Sequence, residues 1–278
     1  MKRRTLRLKP GSLLLVSAVL GGFAAWRLIQ RRLTPVNPKL ALRYGLHLTR
    51  AQRRVLAVSA HQDDLELFAA GTLRLLALAG SDITVVVATG GDQQYTNERT
   101  LNQIREQEQR DAGNILGYDQ FHFLHYTDLN LAHNPRFRPD LEEIWRAVKP
   151  DVVFAFDPTA PYRSAIHPDH LAVGRAVLDI SRSLGEATPD VVFYGSRDPN
   201  ALVDISQVIE DKTQAIRAQR SQLTGWKRLY NLATRLQTRL AGRPVAVRYA
   251  EPLRYLRLPP VDDAAYLENW NPQASRVQ

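Results

Sequence analysis

Two short segments of the chain combine histidines and carboxylates at a spacing that can hold a metal ion. Residues 60–64 read Ala-His-Gln-Asp-Asp, and residues 167–170 read His-Pro-Asp-His. Neutral imidazole and carboxylate are zinc ligands, and a catalytic zinc takes three of them and keeps an open position for water. His61, Asp64 and His170 can supply such a set. The chain has no cysteine, so a metal must be held by His, Asp and Glu, and cysteine nucleophiles are excluded.

Three further residues of these segments are candidates for proton transfer. Asp63 is adjacent to Asp64 and can accept a proton from metal-activated water, whose pKa falls to about 7. His167 precedes His170 by one helical turn. If Asp169 holds it protonated, it can stabilise an oxyanion or protonate a leaving amine. Either segment alone is more often a turn or a helix cap, so the prediction depends on the two segments meeting.

The chain around these segments alternates short apolar runs with helical patterns. The predicted strands cover residues 55–59, 83–89, 121–126, 151–156 and 190–194, and the predicted helices cover residues 65–79, 99–116, 139–148 and 168–184. Strands that are apolar throughout indicate a parallel sheet that is covered on both faces. The expected fold class is therefore α/β, a Rossmann-like doubly wound, mostly parallel sheet in one domain over residues 41–278.

The predicted sheet explains how the two segments could meet. In such sheets, ligands bind beyond the carboxyl ends of the strands, at the point where the strand order reverses. Residues 60–64 directly follow the first predicted strand, and residues 157–170 follow the fourth. We therefore expect both segments at one edge of the sheet.

Residues 1–40 are predicted to form a basic flank, a transmembrane anchor and a linker. Residues 11–26 are apolar apart from two serines, and basic residues flank them on both sides. A spanning helix needs about 20 apolar residues, with roughly 17 as the short limit. An uncleaved transmembrane helix is favoured over a cleaved signal peptide or a core helix. The denser upstream basic cluster favours a catalytic domain outside the cytoplasm, so the expected location is that of a single-pass membrane protein.

The formal net charge of +9 and the pI of about 10.0 favour an anionic partner. The sequence has no nucleic-acid-binding signature, so no nucleic acid is expected among the partners. Residues 226–240 form a predicted basic helix with leucines at positions 229, 232, 236 and 240. These leucines are expected to pack on the domain. Docking in the plane of a membrane and binding of a polyanionic substrate are the alternatives.

The two segments resemble the paired motifs of the PIG-L/LmbE family of zinc-dependent N-acetylglucosaminyl deacetylases. Supporting similarities lie between residues 55 and 223, at residues 89–92, 105–108, 114–117, 124–128, 212 and 221–222. The resemblance implies that His61, Asp64 and His170 bind zinc, that Asp63 is the general base and that His167 is the electrophilic histidine.

The sequence departs from the family pattern at a few positions. Gln62 replaces the usual proline of the first motif. Some members carry a tyrosine shortly before the second motif, whereas here Tyr162 stands five residues before His167. No proposed ligand is lost, but the identity of the general acid stays open. Tyr162 and Arg163 are candidates for substrate contact.

The resemblance implies a reaction and a substrate class. The expected activity is hydrolysis of the N-acetyl group of an N-acetylglucosamine-type sugar, in a glycan or glycolipid, with Zn²⁺ or another divalent ion as cofactor. A different metal-dependent amide or ester hydrolysis is one alternative. A catalytically silent, membrane-anchored sugar-binding protein is another, against which Asp63 argues because a binder needs no base beside the metal.

Overall fold

The computed structural model describes residues 37–90, 98–161, 167–225 and 229–260. Its helices are α1 (Pro38–Thr49), α2 (Asp64–Phe68), α3 (Ala70–Leu78), α4 (Glu98–Leu116), α5 (Phe137–Val148), α6 (Pro168–Leu184), α7 (Ile209–Ala218) and α8 (Tyr230–Gly242). Its strands are β1 (Arg54–Ser59), β2 (Asp82–Thr89), β3 (Gln120–Tyr126), β4 (Val152–Phe156), β5 (Asp190–Tyr194), β6 (Ala201–Asp204) and β7 (Ala250–Tyr255).

The strands form one mixed, mostly parallel sheet in the order β3-β2-β1-β4-β5-β7-β6. The first five strands are parallel to one another, whereas β7 runs antiparallel to both β5 and β6. The predicted α/β class with a mostly parallel sheet is confirmed. The strand order reverses between β1 and its neighbour β4, so the loops that leave these two strands lie side by side at the switch point.

Helices cover both faces of the sheet, so the apolar strands at its centre are buried on both sides. Leu65 and Leu73, from α2 and α3, belong to the core on one face. Val173 and Val177, from α6, belong to the core on the other face. This two-sided burial is what the continuously apolar strands predict.

The helix predicted at residues 65–79 is divided at Ala69, whose backbone leaves the helical conformation with φ −137° and ψ 3°. The carboxylate of Glu251 on β7 accepts hydrogen bonds from the backbone N–H groups of Gly71 and Thr72, at 2.9 and 2.7 Å. Lys212 Nζ lies 2.7 Å from the same carboxylate. A buried ion pair thus caps the start of α3 and stabilises the division.

The helix predicted at residues 226–240 is present as α8, but two of its four leucines are exposed, whereas Leu236 and Leu240 are half-buried. Leu229 and Leu232 are 62% and 67% exposed, and α8 buries Thr234, Thr238 and Gly242 instead. A Cβ atom on Gly242 would lie 2.5 Å from the backbone oxygen of Val247. The helix thus makes its closest approach to the domain through small residues.

The predicted anchor, residues 11–26, lies outside the described residues. Within the described ranges, no helix combines the length and the apolar character needed to cross a bilayer. The longest of these helices, α4, has 19 residues, but its sequence ERTLNQIREQEQRDAGNIL is largely charged and amide side chains. For the described residues, the predicted single-pass membrane location is therefore wrong, and the transmembrane helix in the predicted fold class has no support there.

Candidate active site

His61 and Asp64 are held together by the turn that joins β1 to α2. The backbone N–H of His61 donates to Asp64 Oδ2 at 2.8 Å. Asp63 is the N-cap residue of α2 and has a left-handed backbone with φ 86°. Asp64 is therefore tied to the residue three positions before it, and its carboxylate is buried within the turn.

His167 and His170 are placed by the start of α6. His167 is the N-cap residue, and its Nδ1 accepts a hydrogen bond from the backbone N–H of Asp169 at 3.3 Å. The ring of His170 stacks on Phe156, the last residue of β4, with 3.8 Å between ring centroids and an interplanar angle of 6°. The neighbouring strand β4 thus fixes the plane of the His170 ring.

The structure brings the three predicted metal ligands together. His61 Nδ1 lies 3.2 Å from His170 Nε2, His170 Nε2 lies 3.3 Å from Asp64 Oδ1, and His61 Nδ1 lies 3.6 Å from Asp64 Oδ2. Ligand atoms about 2.0–2.2 Å from a tetrahedrally coordinated ion are separated by roughly 3.3–3.6 Å. The two distances to Asp64 run to different oxygens of its carboxylate, and all three distances lie close to this range, so the three side chains can converge on one divalent ion.

Asp64 and His61 each favour the charged form of the other. Burial raises the pKa of the Asp64 carboxyl, but the His170 and His61 imidazoles outweigh this effect and hold that pKa below its ordinary range. Burial lowers the pKa of His61, but the Asp169 and Asp64 carboxylates outweigh it and raise that pKa to about 10. The negative charge around His61 favours binding of a cation at this position.

Asp169 is fully buried and lies nearer to His61 than to His167. Its carboxylate accepts hydrogen bonds from the backbone N–H groups of Leu129 and Leu131, at 2.7 and 3.2 Å. Asp169 Oδ2 lies 3.5 Å from His61 Nε2 and 3.8 Å from His167 Nδ1. Burial, together with the neighbouring His61 and His170 rings, lowers the pKa of His167. The idea that Asp169 keeps His167 protonated stays a prediction.

Two other groups of side chains have the proximity needed for metal binding. One consists of His61, His167 and His170, and the other of His61, Asp128 and Asp169; within each group, one ligand atom per residue lies within 4.8 Å of the others. Sequence reasoning did not assign a role to Asp128. Its position two residues after β3, at the same edge of the sheet as His61, is the signal that could have identified it.

The loop after β4 is anchored by an ion pair that the sequence did not reveal. Arg254 on β7 lies 2.6 Å from Asp157 through Nε, and Asp157 Oδ1 also accepts from the backbone N–H groups of Thr159 and Ala160, at 2.9 and 3.0 Å. Burial raises the pKa of Asp157, but Arg254 outweighs it and lowers that pKa to about 2. Tyr162 and Arg163, which follow in this loop, lie outside the described residues.

A layer of buried polar side chains lies behind the first motif and was also missed. Glu66 of α2 accepts hydrogen bonds from Gln109 Nε2 at 2.9 Å and Gln219 Nε2 at 3.3 Å. Burial raises the pKa of Glu66 to about 7. The charge of Asp63 contributes to this rise and also, after burial, to the raised pKa of Tyr230. Tyr230, at the start of α8, is thus electrostatically coupled to the candidate base.

Comparison with known proteins identifies the domain. The family described as PIG-L, GlcNAc-PI de-N-acetylase, matches residues 56–181. A probable N-acetyl-alpha-D-glucosaminyl L-malate deacetylase 2 from Bacillus cereus is 32% identical over 189 residues, covering 62% of this chain and 84% of that protein. A diacetylchitobiose deacetylase from Thermococcus kodakarensis is 28% identical over 225 residues, covering 73% of this chain and 83% of that protein.

The same likeness extends to a solved structure. The N,N'-diacetylchitobiose deacetylase from Pyrococcus horikoshii superimposes with a TM-score of 0.68 at 26% identity, covering 87% of this chain and 97% of that one. This chain, with its sheet order and its paired motifs, is thus similar in sequence to named deacetylases. The protein belongs to the PIG-L (LmbE-like) family of metal-dependent deacetylases, hydrolases that act on N-acetyl amide bonds.

Proposed function

We propose that this protein removes the N-acetyl group from an N-acetylglucosamine-type sugar, and that His61, Asp64 and His170 hold the metal ion that this reaction needs. The observation that carries the proposal is the spacing of 3.2, 3.3 and 3.6 Å between the donor atoms of these three side chains. The names of the relatives, deacetylases of diacetylchitobiose and of N-acetylglucosaminyl malate, support the substrate class.

The donor set of two imidazoles and one carboxylate suits Zn²⁺ and accepts other divalent ions. When bound, such an ion lowers the pKa of a coordinated water to about 7 and polarises a carbonyl oxygen. This leaves the proton transfers and the positioning of the substrate to side chains around the ligands.

Asp63 is the proposed general base. It is adjacent in sequence to the ligand Asp64, and its left-handed backbone gives its side chain a direction different from that of a continuous helix. Its carboxylate would accept a proton from the attacking water. The water oxygen then bonds to the amide carbon, the carbon–nitrogen bond breaks, and the nitrogen leaves as a free amine with a proton while the acyl group leaves as acetate.

His167 is the proposed donor to the carbonyl oxygen of the substrate. Its Nδ1 accepts a backbone N–H, from Asp169, so in the neutral ring the proton is on Nε2. An N–H group fixed in this way by a helix N-terminus can stabilise the oxyanion that develops when water adds to the amide. His167 is partly exposed, which allows a substrate to reach it.

The function is tested by assaying the purified protein, supplied with Zn²⁺, on a panel of N-acetylated sugars that includes N,N'-diacetylchitobiose and N-acetylglucosaminyl malate. We expect release of one amine per acetate on at least one of them. Asp63→Ala should lower kcat by roughly 10²-fold or more while the metal content is retained, and Asp119→Ala, which removes an exposed carboxylate, should leave kcat unchanged. Absence of activity on the whole panel, with hydrolysis of other amides or esters, would contradict the proposal.

A further inference from the structure

The backbone of Asp63 has an uncommon conformation. Its φ of 86° and ψ of −19° place it in the left-handed region, which L-residues other than glycine rarely adopt. The side chain of Asp63 makes no capping hydrogen bond to α2, so it does not stabilise this conformation as a helix cap.

Both polar groups of the peptide bond between Gln62 and Asp63 are bound by one helix. Arg105 Nη2 donates to the backbone oxygen of Gln62 at 3.1 Å, and the backbone N–H of Asp63 donates to Gln109 Oε1 at 3.3 Å. Arg105 and Gln109 are four residues apart on α4, so they lie on the same face of that helix. Rotation of this peptide plane would break both hydrogen bonds.

Gln109 is itself held in one orientation. Its Nε2 donates to Glu66 Oε1 at 2.9 Å, and its Oε1 accepts a second hydrogen bond, from Gln219 Nε2, at 3.2 Å. The N–H of Asp63 can only donate, so the amide oxygen of Gln109 must face it and the amide nitrogen must face Glu66. All three side chains of this network are buried, so water does not compete for these bonds.

We infer that Arg105 and Gln109 form a peptide clamp that sets the direction of the Asp63 side chain. They are positioning residues: their described bonds to this turn go to the backbone of residues 62 and 63, and they act on the reaction through Asp63. The inference rests on the proposed role of Asp63 as the base.

The clamp is tested with Gln109→Met and Arg105→Met, and with Gln107→Met as the matched control. Gln107 lies on the same helix but is exposed and bonds to Asp111 at the surface. We expect each clamp variant to lower kcat at least tenfold, with KM within twofold of the unaltered enzyme and one metal ion per chain retained. Gln107→Met should change neither constant.

A double-mutant cycle separates positioning from general destabilisation. In the Asp63→Ala background, Gln109→Met should lower kcat no further, because the side chain that it positions is gone. The inference would be overturned if Gln109→Met lowered kcat by the same factor in both backgrounds, or if Gln109→Met alone left kcat unchanged. Full activity of Asp63→Ala would instead overturn the proposed base. If Gln109→Met fails to fold, Arg105→Met provides the same cycle from the other end of the peptide bond.

Discussion

Asp169 Oδ2 lies 3.5 Å from Nε2 of His61, whereas Nδ1 of the same ring faces His170 at 3.2 Å. One nitrogen of His61 is therefore directed at the proposed ion position and the other at a buried carboxylate. Metal-binding histidines commonly have such a partner, which orients the ring and increases its basicity. Asp169 is in turn fixed by two backbone N–H groups, from Leu129 and Leu131.

Asp169→Asn should weaken metal binding by roughly 10- to 100-fold, because the amide is a poorer partner for the N–H of His61. Titration with a competing chelator, followed by metal analysis, measures the change. Asp179→Asn is the control, since Asp179 lies on the exposed side of the same helix, α6. Equal metal affinity in the Asp169→Asn variant and the unaltered protein would show that Asp169 does not support His61.

Lys212→Met should destabilise the fold by about 3–5 kcal/mol, because it leaves the buried Glu251 carboxylate without its cation. The two groups lie 2.7 Å apart and are both fully buried. Urea unfolding followed by circular dichroism measures the free energy of unfolding. Arg146→Met, which breaks an exposed pair with Glu142, should cost no more than about 1 kcal/mol. Equal effects of the two substitutions would contradict the capping role of the buried pair.

Asp157 makes the stability depend on pH in the acid range. Its folded-state pKa is lowered to about 2, where Arg254 outweighs the effect of burial, so its contribution is complete above the unfolded pKa of about 4 and is lost as the pH falls towards 2. Asp157→Asn should therefore reduce stability on the order of 2 kcal/mol at pH 7, and the difference should shrink between pH 4 and pH 2.

Unfolding in urea at a series of pH values from 2 to 7 measures this difference. Asp119→Asn removes an exposed carboxylate and controls for the change in net charge. A difference between Asp157→Asn and the unaltered protein that stays constant down to pH 2 would show that the ionised carboxylate is not the stabilising form.

Gly242→Ala should destabilise the protein by about 1–3 kcal/mol, because the added methyl group would meet the backbone oxygen of Val247 at 2.5 Å. Leu232→Ser on the exposed side of α8 should change stability by less than about 0.5 kcal/mol. The melting temperatures of both variants test which face of α8 is buried. A larger loss for Leu232→Ser than for Gly242→Ala would restore the original expectation of a leucine-packed helix.

Where the sequence has a strong local pattern, the secondary structure and the position of its residues in the sheet were predictable. The apolar runs predicted the five parallel strands, and the position of His61 and His170 after two of them predicted that they would meet. The burial of Arg105 and Gln109 was not predictable, because a helix rich in Arg, Gln and Glu has the composition of a solvated surface. Their partners are backbone groups of a distant turn, and a backbone group leaves no signal in the sequence.

Leu229 and Leu232 show the opposite case, in which a clear sequence pattern predicts burial but the side chains are exposed. Regular apolar spacing predicts a buried face, but a helix can also pack through small residues when the neighbouring backbone comes close. Thr234, Thr238 and Gly242 lie at the same spacing as the leucines, and they form the face that is buried. Periodicity alone could not decide between the two faces.

The proposed reaction depends on His61, Asp64 and His170 sharing one divalent ion. An anomalous difference map at the zinc absorption edge, from crystals grown with Zn²⁺, tests it directly. We expect a single peak at about 2.0–2.2 Å from His61 Nδ1, His170 Nε2 and a carboxylate oxygen of Asp64. A peak held instead by His61, Asp128 and Asp169, or no peak among these side chains, would contradict it.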